Sequence, residues 1–342
     1  MRHWCVPVVA GVVATAGCSA PGASPETAPE VMVRSVGAIL HEPVWSYGTH
    51  ALVGLTDDSR IAEITDPLSA EHARTRLSAP LPLGRNLQIS AKDDRHLYVP
   101  QPERGKVAVI DLGTLRQVDE FDAGPAPAYL SEDAGMRILL ALSADGLSVT
   151  PVDQYGFRKL PTTKISGEPA DTIDGANRGR EIDYHLYGPS GIRYYKGPSS
   201  PPDDRGSLGM DVAVSAGDGA QVTRSYVASR DDDMLYAVDS RRGGKGLEVL
   251  AATRLPSPIR EIVTDDTRIY AATDREVVAL ETNSFTGYPH ETIPVLRITK
   301  YRASLPGEVQ SAGVSGMAIG PHRVYLTLMG TPYVVGVAKP HL

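Results

Sequence analysis

Leu87-Gln88-Ile89-Ser90, a polar turn at residues 91–94, Arg95-His96-Leu97-Tyr98-Val99 and then Val107-Ala108-Val109-Ile110-Asp111 read as three short strands in succession. Runs rich in β-branched and aromatic residues, bounded by Gly, Pro or Asp, favour strand over helix. The same order recurs downstream. Val212-Ala213-Val214-Ser215 is followed by Arg224-Ser225-Tyr226-Val227-Ala228 and Leu235-Tyr236-Ala237-Val238-Asp239. Glu261-Ile262-Val263-Thr264 is followed by Arg268-Ile269-Tyr270-Ala271-Ala272 and Val277-Val278-Ala279-Leu280-Glu281. Gly316-Met317-Ala318-Ile319 is followed by Arg323-Val324-Tyr325-Leu326 and Tyr333-Val334-Val335-Gly336-Val337. Weaker copies open at residues 44–47, 128–130 and 170–173, and a looser outer strand, such as residues 117–121 or 247–253, completes a unit.

The second-strand positions fall at Leu52, Tyr98, Leu140, Tyr184, Tyr226, Tyr270 and Tyr325, in steps of 46, 42, 44, 42, 44 and 55 residues. Four strands repeated at about this interval make a propeller blade. Seven units predict an all-β, seven-bladed β-propeller occupying residues 31–342 as one domain. Six or eight blades stay open as alternatives, because the fourth unit is diverged and the last step is long. The final unit ends without a fourth strand, whereas residues 31–40 (VMVRSVGAIL) form a strand-like run ahead of the first unit. The expectation is that this N-terminal strand completes the last blade, which hides two sheet edges at once.

Composition agrees with a turn-rich globular fold. The chain has 342 residues with 33 Gly and 27 Pro, 42% hydrophobic and 22% charged residues, and a net charge of −7. Such a balance argues against disorder and against a collagen-like repeat. An acidic chain lacks the basic surface that sequence-independent nucleic-acid binding needs, so no nucleic-acid partner is expected.

The first residues, Met1-Arg2-His3-Trp4-Cys5, carry weak positive charge and precede an apolar run from Val6 to Ala16. That run is too short to cross a bilayer, which takes about 20 residues, and it has the layout of a signal peptide. It ends in Thr15-Ala16-Gly17-Cys18, followed by a Pro/Ala/Ser/Gly-rich stretch. This resembles a bacterial lipoprotein signal with its lipobox, although Thr15 stands where Leu is usual. The resemblance implies removal of residues 1–17, a diacylglycerol and acyl chains on Cys18, and a flexible tether over residues 18–30. More than one acyl chain is what makes such an anchor firm. Cys5 leaves with the signal, so no thiol remains for a disulfide, a metal or a nucleophile.

The repeats themselves resemble the YVTN-type β-propellers, the family of bacterial surface-layer and YncE-like proteins. The features that carry the resemblance are the turns Gly124-Pro125-Ala126-Pro127, Gly167-Glu168-Pro169 and Pro256-Ser257-Pro258, the Arg that opens each second strand ahead of a Tyr, and the Val-x-Val-Ile-Asp third strand. Residues 31–338 are covered. The Trp-Asp signature of WD40 blades is missing, as are the spaced tryptophans of quinone-cofactor propellers. With the lipobox, the whole looks like an actinobacterial propeller lipoprotein.

Motifs that would carry chemistry are few. Asp57-Asp58, Asp93-Asp94 and Asp265-Asp266 fall in predicted turns, where Asp is favoured for its own backbone bonds, whereas calcium needs six to eight convergent oxygens. The run Asp231-Asp232-Asp233 reads as a solvated loop. The histidines form no metal-ligand spacing, no G-x-S-x-G elbow exists, and Arg241-Arg242-Gly243-Gly244-Lys245-Gly246 lacks Walker spacing. No metal or other cofactor is expected. Tyr184, Tyr187, Tyr194 and Tyr195, followed by a Pro-rich insertion at residues 197–206, make either a stacking patch or strand packing.

Propeller families generally bind through loops that enter the first strand and loops that leave the second. Here those loops carry Arg85, Asn86, Arg104, Asp145, Arg230, Asp232, Arg260, Asp274, Arg275 and Ser311. The favoured reading is therefore a monomeric, non-enzymatic binding or scaffold lipoprotein, held at the extracytoplasmic face of the cell membrane and engaging an envelope protein or glycan. The alternative is a lactonase-like or glycan-acting hydrolase, which needs two or more carboxylates converging at the funnel.

Overall fold

The computed structural model describes residues 29–230, 232–241 and 245–340. The leader, Cys18 and almost all of the tether lie outside the described residues. Seven antiparallel sheets follow one another around a ring. Their first strands are His41–Ser46, Gln88–Ile89, Pro127–Asp133, Thr172–Gly175, Val214–Gly217, Ile259–Thr264 and Val314–Ile319, which we number blades 1 to 7. In each blade the first strand pairs with the second, the second with the third, and the third with an outer fourth. Blade 3 has a further short strand, Thr163–Lys164, on its third. The seven units of the sequence are these seven blades.

Blade 7 takes its fourth strand from the other end of the chain. Val31–Ser35 runs antiparallel to Tyr333–Ala338, with Val31 opposite Val337 and Ser35 opposite Tyr333. The strand is shorter than residues 31–40, because Gly37 turns the chain at φ +75° before blade 1 begins. The Arg323 guanidinium donates to the carbonyls of Pro29 (2.6 Å) and Glu30 (3.3 Å) and holds the start of this segment.

Blade faces bury apolar side chains against the next blade. Between blades 5 and 6, Tyr226, Leu235, Ile262 and Ile269 share one cluster; between blades 7 and 1, Leu52, Ile64, Ala318 and Val334 share another. Each buried Leu or Ile contributes about 1.5–3 kcal/mol, so no blade is stable without a neighbour on both sides. Trp45 of blade 1 stacks on Tyr325 of blade 7 at 4.9 Å across the same seam.

The tyrosine after the second-strand arginine in blades 2, 5 and 6 has a structural reason. The Tyr226 hydroxyl donates to Asp218 Oδ2 at 2.7 Å, that of Tyr98 to Ser90 Oγ at 3.2 Å and that of Tyr270 to Asp265 Oδ2 at 3.3 Å. A buried ring thus pins the turn between first and second strands. The acidic pairs are turn residues as well: Asp93 Oδ1 accepts from the Arg95 amide at 3.0 Å, and Asp265 Oδ1 from the Thr267 and Arg268 amides at 3.1 and 2.9 Å.

Blade 4 settles one open reading and corrects another. Tyr184, Tyr187, Tyr194 and Tyr195 form no surface patch: all are buried, none more than 4% exposed, because second- and third-strand residues face a neighbouring blade on either side. The Pro-rich insertion also yields a strand, Asp203–Leu208, paired with Gly191–Gly197.

Polar bonds stitch all seven seams near the first strands or their turns. The Gly48 amide donates to Asp94 Oδ2. Asn86 bonds both backbone groups of Leu130, at 2.7 and 2.8 Å. The Gly175 amide donates to Ser131 Oγ at 2.9 Å, and the Gly217 amide to Asp174 Oδ2. Thr264 Oγ1 donates to the Gly217 carbonyl at 2.5 Å, the Val314 amide to Asp274 Oδ1 at 3.4 Å, and Ser315 Oγ to the Leu40 carbonyl at 3.0 Å. Replacing Tyr226 by Phe leaves Asp218 short of a donor in a buried site and should cost about 1–2 kcal/mol, read as a lower urea midpoint. Tyr47→Phe, at an exposed ring, should change it by about 0.5 kcal/mol or less.

Candidate functional site

Antiparallel pairing puts the start of every first strand and the end of every second strand on one rim. Backbone bonds across that rim show it: Ile259 N–H donates to the Asp232 carbonyl at 3.2 Å and Ala170 N–H to that of Gly146 at 3.0 Å. The sequence-derived candidates all sit there, but spread around the ring. Arg104 bonds Gln101 Oε1 at 2.8 Å and Glu120 Oε2 at 2.7 Å within blade 2. Asp145 Oδ1 takes the Ser143 hydroxyl at 2.5 Å and the Leu147 amide at 3.0 Å within its own turn. Asp232 Oδ1 accepts the Met234 amide at 3.1 Å. Asn86 is engaged in the blade 2–3 seam, and Arg230 and Ser311 are exposed.

Two places gather residues into a site. The first is a cleft of about 1070 Å³ between blades 5, 6 and 7, lined by Asp233, Pro256, Ser257, Pro258, Asp274, Arg275, Glu276, Lys300, Arg302, Ala303 and Gln310. It joins the candidates Asp274 and Arg275, with Arg260 behind them pairing Asp274 at 3.0 Å. Its far wall is the connection from blade 6 to blade 7, which forms two short 3-10 turns, Arg302–Ser304 and Gly307–Val309. The long last step between units, 55 residues, marked this departure in advance.

The second is the mouth of the central channel, a cavity of about 320 Å³ walled by first strands. Two carboxylates that the sequence reading did not single out line it, Glu42 and Asp174, and a third, Glu261, is buried near enough to Glu42 to feel its charge. Burial pushes Glu42 up, against the opposing pull of Arg85. Burial pushes Asp174 up to about 6, although Gly217 and Ser131 donate to it. Burial, with Glu42 as a second cause, pushes Glu261 up to about 8. Tyr129 stands among them with the Arg85 guanidinium 5.6 Å from its ring. Glu42 is held at φ +47° ahead of Pro43, a left-handed conformation that costs a non-glycine residue of order 1 kcal/mol or more. Gly217 allows the closest approach to this group, since a Cβ there would lie 2.5 Å from Asp174 Oδ2. Each acid comes from a different blade, and a lone carboxylate in a strand gives no motif.

Among the described residues no group of three or more His, Cys, Asp or Glu side chains is disposed to hold a metal ion, and no helix is long and apolar enough to cross a membrane. Neither a family model nor a curated protein matches the sequence. Solved structures do resemble the fold. The structure of U3-55K has a TM-score of 0.65 at 12% identity, covering 91% of this chain and 98% of that one. A chain of the mitotic checkpoint complex has a TM-score of 0.68 at 13% identity, covering 97% and 100%. The RRP9 WD40 repeats have a TM-score of 0.64 at 12% identity, covering 90% and 97%. At these identities the likeness is one of fold, a seven-bladed propeller with WD40-repeat neighbours.

The channel acids give stability a pH dependence. Glu261 keeps its proton in the ring up to about pH 8, against an ordinary value of 4.5, so the folded state holds more protons than the unfolded one between these limits. Stability therefore falls as pH rises through that window. Burial pushes Glu132 and Asp133, the last two residues of the blade 3 first strand, up to about 7, and they act in the same direction. Glu261→Gln should flatten the fall between pH 5 and 8 by up to about 3 kcal/mol, followed by urea midpoints at each pH; an unchanged slope would contradict the assignment.

Proposed function

We propose that this chain is a binding or scaffold lipoprotein, anchored through Cys18 at the extracytoplasmic face of a bacterial membrane and offering the loop rim of its propeller to an envelope partner. The observation that carries the reading is the rim cleft. Where one connection leaves the regular repeat, it builds a large open recess with charged walls, and pockets of this kind are where rigid scaffolds place recognition. A chain of the mitotic checkpoint complex, a protein assembly, is similar in fold, which supports a scaffold reading.

The geometry suits the anchor. Val31 opens a fourth strand, and fourth strands start at the rim opposite the loops. Residues 29 and 30 lie at that opposite rim, so an anchor reached through upstream chain of at most about 3.3–3.6 Å per residue would leave the cleft facing outward. Interaction through loops far from a membrane needs no catalytic constellation.

A hydrolase is the second reading, favoured by the channel carboxylates. Raised values on Glu42, Asp174 and Glu261 are what an acid–base pair in a funnel requires. Asp145 and Asp232 are occupied in their own turns and do not join that group.

Cys18→Ala should move most of the protein from the membrane fraction to the soluble fraction when cells are fractionated. Unchanged membrane retention would sink the anchor.

A further inference from the structure

In an acidic chain, the rim cleft holds a cluster of cations that its own acids leave unneutralised. Arg275, Lys300 and Arg302 meet at one corner of blade 6. The Arg275 carbonyl accepts the Tyr301 and Arg302 amides at 3.2 and 3.3 Å, and Lys300 stands opposite Glu276 in the ladder. Yet the acids of the same wall have turned elsewhere. Asp233 takes Arg254 through both oxygens at 2.7 and 2.8 Å. Asp274 takes Arg260 at 3.0 Å. Glu276 takes the Ser257 hydroxyl at 2.6 Å and that of Thr273 at 3.3 Å. Arg302 donates to the Ala312 carbonyl. Arg275 and Lys300 are exposed, and among the described residues neither side chain has a hydrogen bond or ion pair.

Like charges placed together without counter-ions repel, so the arrangement gains from an anion supplied from outside. The density of charge on that anion is constrained as well. Three carboxylates line the recess, and a phosphate or sulfate cluster would meet them at close range, whereas a single carboxylate on a spaced chain meets only the two free cations. Arg pairs a carboxylate with two parallel bonds and Lys as a point charge. Pro256, Pro258 and Ala303 add apolar wall for the methylenes that carry such a group.

We propose that the cleft between blades 5, 6 and 7 binds an acidic peptide segment of a partner protein, with Arg275 and Lys300 receiving its carboxylates. The proposal rests on the scaffold reading of the rim and names the chemistry of what that rim recognises.

The test uses the full chain in detergent and two fluorescent peptides of alternating Gly and Glu or of alternating Gly and Gln, followed by anisotropy. The Glu peptide should bind at least about 10-fold more tightly at about 50 mM salt, and the difference should shrink at about 500 mM, where screening is over about 3–4 Å. Arg275→Gln combined with Lys300→Gln, at exposed positions, should erase the preference, while Arg158→Gln on the outer strand of blade 3 should leave it. Equal binding of the two peptides, or a preference that survives the double substitution, overturns the proposal. Displacement of the Glu peptide by inorganic phosphate or a sulfated glycan at lower concentration than by unlabelled Glu peptide overturns the peptide class. The same binding in Cys18→Ala separates this site from the anchor, because loss of membrane attachment leaves the anisotropy unchanged.

Discussion

The first strand of every blade is an edge strand. It pairs with the second strand on one side only, and its other row of amides and carbonyls faces the centre of the ring. Unpaired backbone groups in an enclosed place cost free energy comparable to a lost hydrogen bond. Side chains from neighbouring blades meet that need: Asn86 on Leu130, Ser131 on Gly175, Asp174 on Gly217, Ser315 on Leu40. The seams that bury apolar surface are therefore also the seams that satisfy the inner edges. A blade removed from the ring would lose both, which is why closure is a condition for any one blade to fold.

This constraint also divides the polar residues of the centre into two kinds. Asn86 and Thr264 are consumed by the stitching. Asp174 does both, stitching blades 3, 4 and 5 while presenting its carboxyl to the channel. Glu42 and Glu261 take no part in a seam, and their proton affinity is raised by enclosure. The outer rim obeys a different logic: there the chain is free to lengthen, and the blade 6 to blade 7 connection uses that freedom to raise a wall opposite Arg275 and Lys300.

The fold was legible because each blade repeats the same punctuation. The second-strand Tyr, the polar turn residue below it and the apolar third strand are fixed by contacts that recur from blade to blade, as Tyr98 on Ser90, Tyr226 on Asp218 and Tyr270 on Asp265 show. Outer strands were harder to read. Asp203–Leu208 and Arg74–Leu77 are held by backbone pairing with little burial, so nothing selects an apolar alternation in them. The tyrosines of blade 4 stayed ambiguous for another reason: with both faces of the sheet buried, alternation ceases to separate inside from outside. The channel acids were illegible for a plainer reason, since Glu42, Asp174 and Glu261 become neighbours only when the ring closes. Arg275 was legible as a loop residue, but its isolation from Asp274 depends on Arg260, and only the folded rim reveals that.

The chain enters the ring through Glu30, whose carboxylate bonds Arg297 and the Thr299 hydroxyl of blade 6, and then runs straight into the five rungs of Val31–Ser35. Ladder bonds lie across the strand direction. A pull on the upstream chain therefore acts along the strand and loads the rungs together in shear, with the Arg323 and Arg297 clamps engaged first. The same strand that closes the ring is thus its mechanical handle, stronger against a pull along the chain than against peeling from its far end.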